Sequence, residues 1–309
     1  MGFLEDSEMK ADMTFPVNFS SSIRIISLLA LGLVFSLTLQ GCSAVKIAYN
    51  QAPTLAYLYL DGYMDFNNAQ SVQVKNDLTK MQAWHRQTQL PAYIDLLQKV
   101  QQKMPQDITA SQTCEVFADV RQKALAMTDY AEPAAVSLAA TFTQKQLDAM
   151  ARKFAKGNST WREDYLDSST KDLFERRQKS AVKRSETLYG NVTDKQRSLI
   201  ALQIEKSQFK AAQSYAERQR RQKDTLQTLG KAIANPQDIA SIQKDLRSLL
   251  ARSVTSPDAA YRSYLDVITQ EGCASFAELH NTTTPEQRKN AVEVLAGYEQ
   301  DFKVLVAQK

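Results

Sequence analysis

Thr193-Asp194-Lys195-Gln196, followed by Arg197-Ser198-Leu199-Ile200-Ala201-Leu202, is the stretch that decides the fold class. A threonine at the N-cap accepts the N3 amide proton on its hydroxyl, and a glutamine at N3 reaches back to the cap's own N–H. Two donors that a helix start leaves orphaned are thereby satisfied together. The same signal stands at Thr109-x-x-Gln112, Thr143-x-x-Gln146 and Thr284-x-x-Gln287. The last carries Pro285 at the first helical position, where a missing N–H does no harm. Composition agrees: 309 residues include only 9 Gly and 8 Pro, while the good helix formers Ala, Gln, Lys, Leu and Arg are abundant. The expectation is an all-α protein, a multi-helix bundle with a long antiparallel helical hairpin.

Working outward from Thr193, residues 159–188 and 193–230 read as two long helices, joined by Gly190-Asn191, a pair suited to a left-handed C-cap. Their apolar stripe is thin, and between Glu217 and Thr225 it gives way to Arg218, Arg220, Arg221 and Lys223. A hairpin over about 159–230, projecting from a helical body that fills the rest of 42–309, is the economical picture. Three further helices are expected over about 236–252, 257–280 and 285–307. Upstream, residues 54–66 are apolar nearly all round, so that helix should be buried or lie against a membrane. Val74, Leu78, Met81 and His85 form one stripe of a helix over 69–86, and another helix follows Pro91.

Residues 25–39 form an uncharged apolar run of 15, short of the ~20 needed to cross a bilayer as a helix. Arg24 precedes it and Leu39-Gln40-Gly41-Cys42 follows, the layout of a signal peptide over 1–41. A buried core helix or short anchor is the alternative. Residues before Ser21 are acidic, unlike the start of an export signal, which places the true start downstream, at Met13 or near Ile23. Leu39, Gln40, Gly41 and Cys42 resemble a bacterial lipobox. That resemblance implies acyl chains on Cys42 and cleavage just before it, and Ser43 then implies sorting to the outer membrane. Membrane lipid is the partner so implied: each buried methylene contributes about 0.8 kcal/mol, and several acyl chains hold a protein durably.

Of 38 basic and 34 acidic residues, Lys10, Arg24, Glu5, Asp6, Glu8 and Asp12 precede Cys42, leaving 36 and 30, a balance of +6. Such a mild excess permits contact with anionic lipid or polymer without demanding it, and a solvated surface is the favoured reading. Three cysteines are present. With Cys42 acylated, Cys114 and Cys273 remain, 159 positions apart, and an exported chain favours a bridge between them over two buried thiols.

Signatures of catalysis are absent. The two histidines, His85 and His280, rule out a three-histidine zinc site, and no zinc-cysteine cluster, P-loop, GxGxxG or GxSxG pattern occurs. No enzyme activity, metal or cofactor is expected, and nucleic acid is disfavoured because aromatics are not interleaved with the basic stretches. The cluster Trp84-His85-Arg86 reads either as a binding surface, with Trp for apolar contact and Arg for a planar donor fork, or as a helix end whose Trp fills the core.

Tyr49-Asn50, Leu60-Asp61-x-Tyr63, Gln70 and Trp84-His85-Arg86-x-x-x-Leu90-Pro91-x-Tyr93 resemble a proteobacterial lipoprotein family of unknown function. The resemblance implies an exported helical lipoprotein and brings no activity. Phe142-Thr143-Gln144-Lys145-Gln146 and Val192-Thr193-Asp194-Lys195-Gln196 are similar to the LTxxQ motifs of periplasmic stress proteins and chaperones, with Phe and Val in place of leucine. Thr283-Thr284-Pro285-Glu286-Gln287 departs further. The expected role is that of an outer-membrane-anchored structural or protein-interaction component facing an unidentified envelope protein. The alternative is an ATP-independent periplasmic chaperone or stress-response protein.

Overall fold

The computed structural model describes residues 44–308, and among them every regular element is a helix. Cys42 and Ser43, with residues 1–41 over which a signal peptide is expected, lie outside the described residues. The chain divides between Ile47 and Ala48, and the unit that begins at Ala48 is the helical body.

Helix α1 (Ala44–Asn50) leads to α2 (Ala52–Met64), which forms a hairpin with α3 (Asn68–Trp84). A π turn (His85–Gln89) joins α3 directly to α4 (Leu90–Lys103). Then follow α5 (Ala110–Ala139), α6 (Gln144–Tyr165), α7 (Thr170–Tyr189), α8 (Asp194–Glu205), α9 (Ala211–Ala234), α10 (Ile239–Val254), α11 (Ala259–Asn281) and α12 (Pro285–Ala307). Helix α5, 30 residues and so about 45 Å long, is the spine, packing on α3, α10 and α11. Around its C-terminal end Val136, Ala139, Phe142, Met150, Leu229, Ala232 and Ile242 make one apolar core. Just before its N-terminal end Met104 and Ile108 join Tyr189, Ala277 and Ala291 in another, and Val182, Val192, Ile200 and Leu279 form a third.

All four Thr-x-x-Gln signals are capping boxes. Sequence reading missed a fifth, Asn67 with Gln70, because asparagine stands where the others have threonine. Four of the five glutamines do more than cap. Gln146 donates to Gln70 Oε1 at 2.7 Å and Gln70 returns the bond at 3.5 Å. Gln196 and Gln287 exchange bonds of 2.8 and 2.9 Å. Each amide nitrogen also donates to a carbonyl two residues before its partner's cap: Thr141, Asp65, Thr282 and Asn191. These four side chains are buried with their polar groups satisfied, forming two neutral clasps that lock helix starts far apart in sequence.

The stretch expected as two long helices is broken twice. After Tyr165 the chain turns, Ser168 Oγ binds the carbonyls of Glu163 and Asp164, and Ser169 caps α7. Between α8 and α9 the Gln208 and Lys210 amides donate to Glu271 and to the Tyr264 hydroxyl of α11. Helices α7 and α8 do turn back on each other across Gly190, whose φ of 74° excludes a comfortable side chain. Of the basic run in α9, Arg220 and Arg221 are accounted for by Glu217, while Arg218 donates to Asn158 Oδ1 of α6. The Glu217 side chain is only 4% exposed, and Arg220, Arg221 and Ser256 all donate to it. Helix α9 lies against α6 and α10.

Candidate functional site

The cluster Trp84-His85-Arg86 sits on the π turn, and Pro91 supplies a reason for that turn. Proline cannot donate to the carbonyl four residues back, and its ring would press on it. One extra residue per turn relieves the clash, and Leu90 N–H reaches instead to His85 O, five residues back. The expected helix end is therefore a continuous helix with a local widening. Trp84, His85 and Arg86 stand at its start.

Two of them grip the segment that precedes α2. His85 Nδ1 is hydrogen-bonded to the Tyr49 hydroxyl at 3.0 Å. Arg86 donates to Asn50 Oδ1 at 3.2 Å and lies 5.7 Å from the Tyr49 ring centre. Gln82 Nε2 donates to the Tyr49 carbonyl, completing a clamp from one turn earlier on α3. Behind His85 the aromatic contacts continue through Tyr93 to Phe302 of α12. Burial lowers the His85 imidazole below its ordinary value and raises the Tyr49 phenol, the latter against the opposing pull of Arg86. Both are therefore neutral near pH 7, and the clamp is a dipolar contact with Arg86 as its fixed charge.

Trp84 turns the other way. Its ring stacks on Tyr130 of α5 at 4.3 Å, and Tyr130 borders a cleft of about 770 Å³ between α2, α3 and α5. Leu60, Val74, Leu78, Met81 and Leu138 line it with the Pro133 turn of α5, while Asp77 and Lys80 stand at its edge. A cleft of this size and lining suits an extended apolar segment or alkyl chain.

Sequence reading named Tyr49 and Asn50 without linking them to His85 and Arg86, and it passed over Gln82 and Tyr130. The remaining pair, Cys114 of α5 and Cys273 of α11, forms a disulfide with Cα atoms 5.4 Å apart. The other histidine, His280, is buried between the Tyr189 hydroxyl at 2.9 Å and the Gln106 carbonyl at 2.8 Å, and is structural. No group of three or more His, Cys, Asp or Glu placed to hold a metal occurs among the described residues. No helix among them is long and apolar enough to cross a membrane.

Compared with known proteins, the chain matches a family of unknown function, DUF6279, over residues 62–262, and it belongs to that family. No curated protein matches it, and no solved structure does.

Proposed function

We propose that this chain is an outer-membrane-anchored lipoprotein, attached through acylated Cys42, whose helical body is a protein-interaction component of the cell envelope. The observation that carries the reading is the clamp. His85, Arg86 and Gln82 hold Tyr49 and Asn50, seven and eight residues beyond Cys42, so a tether arriving from a membrane would meet a fixed point of the body. The Cys114–Cys273 bridge supports an oxidising compartment, and the apolar run before the lipobox-like residues supports export. Mass spectrometry of the membrane-extracted protein tests the anchor. The expected first residue is Cys42 carrying acyl chains, and an unmodified sulfur with residues 25–39 still attached would overturn it. For the interaction role, photo-crosslinkers placed at Gln73 and Lys80 beside the cleft should trap one reproducible envelope protein in cells.

A second reading, an ATP-independent periplasmic chaperone, is favoured by the same cleft, since an open apolar trough suits unfolded segments. Its test is direct. Purified protein at molar excess should slow aggregation of a denatured client, and an unchanged light-scattering trace would end it.

A further inference from the structure

We infer that the outer face of α2 is a bilayer-contacting surface, in which Leu55, Leu58 and Tyr59 enter the membrane interface and Lys153 and Arg218 meet anionic lipid headgroups. The inference deepens the anchored reading above and rests on it.

A solvated surface helix turns polar residues outward. Helix α2 does the reverse. Leu55, Leu58 and Tyr59 are 56%, 59% and 66% exposed, and Gly62 continues their face. No Asp, Glu, Lys or Arg occurs between Lys46 and Asp61. Asp61 itself is engaged, accepting the Phe66 N–H at 3.0 Å. The opposite face is used for folding: Tyr57 donates to Ser71 and stacks on Phe66, and Tyr63 packs on Phe154 of α6. The stripe therefore is not a core face left open by a missing helix.

Cations border it. Lys153 Nζ lies 5.5 Å from the Tyr63 ring centre, Tyr63 touches Tyr59 at 5.2 Å, and the positive charges of Arg218 and Lys153 both act on the Tyr59 hydroxyl. Leucines flanked by tyrosines and snorkelling cations suit a lipid interface, where the apolar part enters the acyl boundary and the charge stays among headgroups.

Reach selects the bilayer as the occupant. From Cys42 to Ala48 is six residues, which can extend at most about 20 Å, and Tyr49 and Asn50 are clamped. A chain tethered so closely meets lipid at a high effective concentration. A second copy or a soluble partner is a poorer fit. Three such side chains offer on the order of 300 Å², against about 800 Å² per partner in a stable protein interface. As an addition to an acyl anchor, the same area is enough.

The test uses the full lipidated protein, extracted and reconstituted into vesicles of phosphatidylethanolamine and phosphatidylglycerol brominated near the headgroup. With Cys42 acylated and Cys114–Cys273 bridged, a cysteine introduced by Leu58→Cys is the one free thiol for a bimane label, and Lys289→Cys on α12 is the control. Brominated lipid should quench the Leu58 label about two-fold relative to plain vesicles, as expected for a group ~5–10 Å into the interface, and leave the control unchanged. Lys153→Glu should weaken that quenching in anionic vesicles and have little effect in neutral ones. Acylated Cys42 with an unquenched Leu58 label overturns this inference and leaves the anchor standing. If Cys42 is found unacylated, it is replaced by serine so that Leu58→Cys stays the one free thiol, and a label quenched on adding vesicles then overturns the anchor and keeps the surface. Leu58 labels shielded in detergent within a sedimenting dimer overturn the bilayer in favour of a second copy.

Discussion

Helix α5 begins at Thr109 with the same cap as α6, α8 and α12, yet its Gln112 reaches only its own turn. The other four capping glutamines meet in pairs, Gln70 with Gln146 and Gln196 with Gln287, and each pair ties two parts of the chain 76 or 91 positions apart. Where a clasp partner would stand for α5, the Asn281 amide pairs with both the N–H and the C=O of Ile108. One turn into α5, Cys114 is bridged to Cys273 of α11. The same local signal thus serves two designs, a buried neutral clasp and an exposed cap beside a covalent tie. The difference is one of tertiary surroundings and leaves no mark in the four-residue motif.

The bridge is the strongest way to break the comparison. It closes a span of 159 positions, for which chain entropy gives on the order of 5 kcal/mol as an upper figure. Cys114→Ser/Cys273→Ser should lose about 3–5 kcal/mol by chemical denaturation, with amide exchange rising first in α11 and the N-terminal half of α5. Exchange rising equally around Gln70 and Gln146 would mean that the two designs are not separate.

Next come the clasps. Gln146→Leu removes a buried amide and strands the Asp65 and Met64 carbonyls, the Thr143 N–H and two of the five side-chain bonds of Gln70. Unsatisfied buried groups make this cost about 3 kcal/mol. The equivalent change at Gln287 should cost a similar amount, because its bonds to Gln196, Asn191 and Thr284 are of the same kind. In a double-mutant cycle, alanines at Gln196 and Gln287 should show about 1–2 kcal/mol of coupling, and alanines at Gln112 and Gln287 none.

Acid separates the neutral clasps from the charged knot in α9. Burial alone would raise the Glu217 carboxyl; hydrogen bonds from Arg220, Arg221 and Ser256 outweigh it and hold the group at about 2, against an ordinary 4.5. A depressed carboxyl stabilises the fold fully above the ordinary value and loses that contribution as pH falls from about 4.5 toward 2. Discounted for the solvent that reaches Arg221, the loss should be about 2 kcal/mol, and Glu217→Gln should make the fall of stability across that window shallower by that amount, leaving the part due to other depressed carboxyls such as Asp224 and Glu299. The clasp variants, which carry no titrating group, should keep the wild-type slope.

These contrasts also show what the chain could and could not disclose. The four threonine caps, the helix over 285–307 and the Cys114–Cys273 pairing follow from local chemistry and cysteine count. The start of α7 was also legible: Asp167-Ser168-Ser169 is a turn cluster and Ser169-x-x-Asp172 a cap, hidden only by the apolar residues on either side. The break before α9 was not. Lys210 offers no side-chain cap, and the amides there are satisfied by Glu271 and Tyr264, about 60 positions away. The clamp falls between these cases, its residues legible as a pattern and their meeting unreadable, because Pro91 acts on the helix through a π turn that no spacing announces.

The smallest expected effect is the most discriminating. Gln112→Ala removes the acceptor of the Thr109 N–H, at a site where water can replace it. The loss should be about 0.5–1 kcal/mol, that of an ordinary exposed cap. The Thr109 hydroxyl still accepts the N3 amide, so α5 should keep its first turn by amide exchange. A loss near that of Gln146→Leu would place Gln112 in a buried network of its own and end the distinction between the two kinds of helix start.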